Sequence, residues 1–151
     1  AGKWGLLFQA DGKDVCRRCL ISNCEGRIAK LKTDSTELER RTKVFALRII
    51  RFVAALPRNK TTEVLGPQLL KAGTSVGANY REANRAESKN DFIHKIGVIE
   101  KEAAESQYWL ELFEEAKIGD ETERQWLLKE ATELLAIFTR IGRTAKARRD
   151  T

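Results

Sequence analysis

The chain has 151 residues, 42% hydrophobic and 33% charged, with 28 Lys and Arg against 22 Asp and Glu. A domain of that length buries about 68–70% of its unfolded surface, enough for one core. No stretch approaches the roughly 20 apolar residues of a membrane span, and Leu6-Leu7-Phe8 is too short for a signal-peptide core, so a cytoplasmic location is expected.

Residues 1–33 differ from the rest. Glycines punctuate them and no helical period persists, so they read as a poorly ordered or loosely docked N-terminal extension. The chain begins with Ala and holds no Met, which reads as a removed initiator or a fragment. Cys16 and Cys19 have the spacing of half a zinc knuckle, with Cys24 as a third thiol. A structural zinc site needs four ligands, and the single histidine, His94, is distant. Reduced thiols and no metal are the expectation.

The first predicted helix runs from about 35 to 56. Ser35 or Thr36 can cap it, and Pro57 stops it, because the residue before proline avoids the α region. Leu38, Phe45, Ile49, Phe52, Val53 and Leu56 form one apolar stripe, widened by Val44, Leu47 and Ile50. The second helix is predicted to start near Gly66-Pro67, since proline suits a first turn, and to end around Ala86. It contains Gly73-Thr74-Ser75-Val76-Gly77-Ala78-Asn79. Two glycines inside a helix cost roughly 0.5–1 kcal/mol each relative to alanine, so another backbone is expected close to them. The third helix is expected to supply the facing bulk, through Phe92, Ile96, Ile99, Leu110 and Phe113. Asn79 is expected to be partly buried and hydrogen-bonded, fixing helix register.

Ser88 and Asp91 read as a capping box for the third helix, about 89 to 117. Phe92, Ile96, Ile99, Ala103, Ser106, Leu110 and Phe113 follow a seven-residue repeat within it. Gly119 reads as its C-terminal cap residue. Asp120 and Glu123 read as a second capping box, opening a fourth helix on which Leu127, Ala131, Leu134, Phe138 and Ile141 repeat the pattern. The tail from 143 to 151 is polar and basic. Four rods of similar length with short connections predict an all-α, antiparallel up-and-down four-helix bundle over residues 34–149.

Catalysis finds little support. A di-iron bundle needs Glu-x-x-His on two helices, and the chain has one histidine. No nucleophile has a base and acid at suggestive spacing, and no phosphate-binding loop joins a strand to a helix. A non-enzyme without cofactors is the expectation. The basic residues carry more. Arg40, Arg41, Lys43, Arg48 and Arg51 fall within twelve positions, and Arg140, Arg143, Lys146, Arg148 and Arg149 crowd the C-terminal end. Both sets can track phosphates of RNA or DNA. No aromatic residues interleave with them, so base stacking is not expected. Apolar surplus on the first helix, with Tyr108, Trp109 and Trp126 at the border of the stripes, points to self-association. The alternative function is a protein–protein assembly module without nucleic-acid contact. Its basic residues would pair with the third-helix glutamates of a neighbouring subunit.

The run Gln68-Leu69-Leu70-Lys71-Ala72-Gly73-Thr74-Ser75-Val76-Gly77-Ala78-Asn79-Tyr80-Arg81-Glu82-Ala83 resembles the four-helix-bundle family of the 23S rRNA intervening-sequence proteins. The resemblance continues through Ser88-Lys89-Asn90-Asp91-Phe92-Ile93 and through 100–112, and spans roughly 36–145. Many members carry Gly after the glutamate where this chain has Ala83. The resemblance implies a bacterial cytoplasmic bundle assembled as a homopentamer. It also implies kinship in fold with the accessory variability determinant of diversity-generating retroelements, a basic pentamer that binds nucleic acid and a reverse transcriptase. A nucleic-acid enzyme is therefore a further candidate partner. The resemblance supplies no catalytic residues.

Overall fold

The structure, a computed structural model, describes residues 35–147. Four helices occupy that span: α1 Ser35–Ala54, α2 Lys60–Ala83, α3 Lys89–Glu115 and α4 Glu121–Ala147. Each packs antiparallel on the one before, and α4 returns to α1 along the thinnest of the four seams. This is the expected up-and-down bundle, with no strand among the described residues. Among them, no helix is long and apolar enough to cross a membrane. The expected extension at 1–33, its three cysteines, Arg148 and Arg149 lie outside the described residues.

One apolar core runs the length of the bundle. Leu38, Phe45, Ile49 and Phe52 enter it from α1, Leu69, Val76 and Tyr80 from α2. The heptad residues of α3 and α4 meet them, and Ser106 is buried with its hydroxyl donating to the Glu102 carbonyl at 2.7 Å. Phe52 and Phe113 meet edge-on with centroids 5.4 Å apart, as do Tyr80 and Phe138 at 5.3 Å. Phe92 is only half-buried, and Ile93 takes the inward position at the start of α3. A straight helix drifts relative to a strict seven-residue repeat, which accounts for the exchange at its end.

Four local expectations are corrected. The helix α1 ends at Ala54, two residues early, and Ala55 and Leu56 form a turn whose amides donate back to Phe52 and Val53. The helix α2 begins at Lys60, well before Gly66-Pro67. Asn59 and Thr62 form a reciprocal capping box there, with bonds of 3.0 and 3.1 Å. Pro67 then sits inside the helix, where Gly66 spares it the clash that a preceding Cβ would cause. At the end of α3 the residue in the left-handed cap position is Lys117, with φ 56°, two residues before Gly119. Bonds from Ile118 N to the Phe113 carbonyl and from Lys117 N to the Glu114 carbonyl complete a Schellman motif. Gly119 follows with φ 83°, and a Cβ there would lie 2.6 Å from the Phe52 ring. Asp120 caps α4 through the Glu123 amide at 2.8 Å, but the Glu123 side chain does not return to it.

The two glycines of the small-residue run face α1 and not α3. A Cβ on Gly73 would lie 2.1 Å from Ile49 Cδ1, and one on Gly77 would meet Thr42 at 3.4 Å. The close approach expected at these glycines is present, with a different partner. Asn79 is half-buried, and its amide donates to the Ser75 carbonyl at 2.9 Å. That bond stays within α2, so it does not set the register between helices.

Candidate nucleic-acid interface

The α1–α4 seam uses two of the candidate cations inside the chain. Arg41 forks onto Glu130 with bonds of 2.9 and 2.8 Å and reaches Glu133 at 2.9 Å. Arg48 forks onto Glu123 at 2.7 and 2.5 Å. The Arg48 guanidinium also lies 3.6 Å above the Trp126 ring, a stacked cation–π contact. Hydrogen bonds donated to the carboxylates raise the pKa of both arginines above their ordinary value, against the opposing effect of burial. Paired this way, Arg41 and Arg48 join helices. Arg40 is exposed but forks onto Glu37, one turn before it, at 2.7 Å for both bonds.

The other cations remain outward. Lys43 and Arg51 are exposed on α1 and form no ion pair among the described residues. Arg140, Arg143 and Lys146 are exposed on the last turns of α4. Up-and-down topology brings the C-terminal ends of α2 and α4 to the same end of the bundle. Contact between Gly142 and Ile96 and the Lys95–Glu82 pair at 3.1 Å mark that end. Arg81 and Arg85 at the end of α2 therefore join Arg143 and Lys146 there, and all four are exposed.

Several carboxylates at this end are already engaged. Glu37 is held by Arg40, which lowers its pKa by hydrogen bonding. Glu82 and Asp91 face Lys95, and Glu39 accepts from the Asn84 amide at 2.6 Å. Glu87 is exposed and moderates the field. Cations here also offset the negative ends of two helix dipoles. Arg81 and Arg85 were not singled out by sequence reasoning. Their signal was their place at the end of a helix parallel to α4, which only the topology reveals.

One further arginine escaped the sequence analysis. Arg124 is 3% exposed, the most deeply placed charge among the described residues. It donates to Glu114 at 2.8 Å and to the Gly119 carbonyl, tying the α3–α4 turn from within. The Arg124 hydrogen bond holds the Glu114 pKa below the ordinary carboxylate range. Its role is structural. An open groove is lined by Gln107, Thr132, Leu135, Thr139 and Arg143, where Gln107 donates to Glu111, Thr132 to the Leu128 carbonyl and Thr139 to Glu100.

Comparison with known proteins adds the following. Residues 35–140 match the family model described as 23S rRNA-intervening sequence protein. A crystal structure from Bacteroides thetaiotaomicron is similar, with 33% identity and a TM-score of 0.64 over 70% of this chain and 97% of that one. That protein is described as having unknown function and belonging to the S23 ribosomal protein family. No curated protein matches the chain.

Proposed function

The chain belongs to the 23S rRNA-intervening sequence protein family, and on that premise we propose a non-enzymatic, homo-oligomeric bundle that binds RNA or DNA through its basic end. The carrying observation is the convergence of Arg81, Arg85, Arg143 and Lys146, all exposed, at one end of the rod. The surface differs from the one expected from sequence, since Arg81 and Arg85 enter it and two α1 arginines leave it. Arg41 and Arg48 are neutralised by α4 carboxylates, so phosphate contact moves from the α1 stripe to the end of the bundle. Contact there is with backbone phosphates, since no aromatic platform accompanies the cations among the described residues. Docking an enzyme that itself acts on nucleic acid is compatible with the same surface. The proposed setting is the cytoplasm.

Filter binding with a labelled RNA and a labelled DNA duplex at about 50 and 200 mM salt tests the proposal. Retention should fall steeply with salt, and Arg143→Glu with Lys146→Glu should abolish it while leaving the helical content unchanged. Absent retention at the lower salt, or retention indifferent to salt, refutes it. The alternative, an assembly module without nucleic acid, is favoured by the exposed Lys43 and Arg51, and it shapes the next inference.

A further inference from the structure

Four large apolar side chains stand exposed among the described residues, and three of them fall on two facing-type surfaces. Leu47 is 42% exposed and Ile50 45% exposed, on the outward side of α1. Lys43, Leu47, Ile50 and Ala54 recur at spacings of four, three and four, so they form one stripe, and Arg51 borders it. On α3, Tyr108 is 53% exposed, between Glu105 and Glu115. Glu105, Tyr108, Leu112 and Glu115 recur at spacings of three, four and three, again one stripe. Each stripe is about 15 Å long at the helical rise of 1.5 Å per residue.

The two stripes are alike in shape and opposite in charge. One sets apolar side chains between Lys43 and Arg51, the other between Glu105 and Glu115. None of these four charges forms an ion pair among the described residues. Tyr108 packs edge-on against Trp109, and the Trp109 indole donates to Glu105 at 3.2 Å, so the aromatic pair is held in place. Glu102, next to this stripe, has its pKa pushed up by burial and by the Glu105 charge, against the lowering effect of Lys71. Lys101 borders the acidic half on its N-terminal side.

We propose that the outward stripe of α1 docks on the Glu105–Glu115 stripe of α3 in a second copy of this chain. The proposal rests on the homo-oligomeric reading above and names the surfaces it would use. The helices α1 and α3 stand on the diagonal of the bundle, so one molecule cannot satisfy its own two stripes. The contact is heterologous, each subunit giving one face and receiving the other, and it closes as a ring when the rotation per step allows. Apolar side chains supply the association, and the flanking charges supply orientation and partner choice.

Charge swapping tests this on the full chain by light scattering coupled to size exclusion, with circular dichroism confirming helix content. The wild type should elute at a multiple of 17.1 kDa. Lys43→Glu with Arg51→Glu should lower the mass toward one chain, and so should Glu105→Lys with Glu115→Lys. Mixing the two variants should raise the mass above that of either alone, because the stripes of one complement those of the other, with one mismatched seam left in a ring of odd number. A single chain carrying all four substitutions should also reassemble. Either pair of substitutions leaving the oligomer intact, or neither the mixture nor the fourfold variant recovering it, overturns the assignment of surfaces while the oligomer stands. A wild type that is itself 17.1 kDa at every concentration removes the oligomeric reading and this inference with it.

Discussion

The contact between Gly73 and Ile49 allows a quantitative test of how α1 and α2 are joined. Gly73→Ala adds one methyl group to α2. Helix propensity alone favours that change by roughly 0.8–1.0 kcal/mol. The new Cβ would, however, stand 2.1 Å from Ile49 Cδ1, while the other Ile49 carbons lie at 3.4 and 3.6 Å. Ile49 is fully buried, so its terminal methyl has to turn within the packed core and not into solvent. Overpacking of this kind costs about 1–3 kcal/mol, leaving the single variant destabilised by roughly 0–2 kcal/mol. Ile49→Val removes the offending carbon and alone costs about 0.5–1.5 kcal/mol. In the double variant the alanine methyl occupies the vacated space, and the propensity gain remains. Its stability should match or slightly exceed the wild type, a coupling of about 2 kcal/mol in the double-mutant cycle. Urea melts with an unchanged m-value measure it. Gly97→Ala is the control: a Cβ there meets nothing within 4 Å, so it should stabilise by about 0.5–1 kcal/mol. Additive single effects at Gly73 and Ile49 would refute the packing argument.

The turn after α3 and the acid limb of stability offer further tests. Lys117→Gly should raise stability by roughly 1 kcal/mol, because a non-glycine residue at φ 56° carries that strain. Gly119→Ala should lower it by roughly 2–4 kcal/mol, since its φ is also positive and the Phe52 ring blocks the Cβ. Thermal melts that rank the two changes in the opposite order would contradict the Schellman assignment. The Glu114 carboxyl has a folded pKa below its unfolded one, owing to Arg124. Its stabilisation is therefore complete above the unfolded value near 4.3 and is lost as pH falls through the lowered folded value. Glu114→Gln should flatten the acid limb of the melting-temperature profile and leave its slope above pH 6 unchanged; an identical acid limb would exclude the pair from that effect.

The bundle itself was legible because its signals agree with one another. The α3 heptad and the caps at Ser88 and Asp120 place two long helices and their connection, and the inward residues follow from the period. The start of α2 was obscured by Pro67, whose preference for a first turn competed with an Asn59–Thr62 box lacking the usual acidic partner. Lys117 could not be foreseen at the left-handed position with Gly119 two residues later. The candidate site was legible as composition only. Arg41 and Arg48 meet glutamates 75 to 92 positions away, and those meetings depend on the register between α1 and α4, which no local pattern records. The same holds for Arg81 and Arg143, which are brought to one end by the fold.

The thin α1–α4 seam has a consequence for how the molecule opens. On one side α1 is pressed against the glycines of α2. On the other it meets α4 through the shared core and through Arg41, Arg48 and the Trp126 ring. The contacts among α2, α3 and α4 are broader, so α1 is the unit most readily released in a sub-global opening. Its amides should exchange with solvent as a group, ahead of the other three helices. Salt, which screens partly exposed pairs, should hasten that exchange selectively. In the proposed oligomer, a neighbouring subunit gripping the outward stripe of α1 would bind only the closed form and so hold the seam shut from outside. On the proposed assembly, association and closure of the bundle would be one linked equilibrium, with α1 as the element they share.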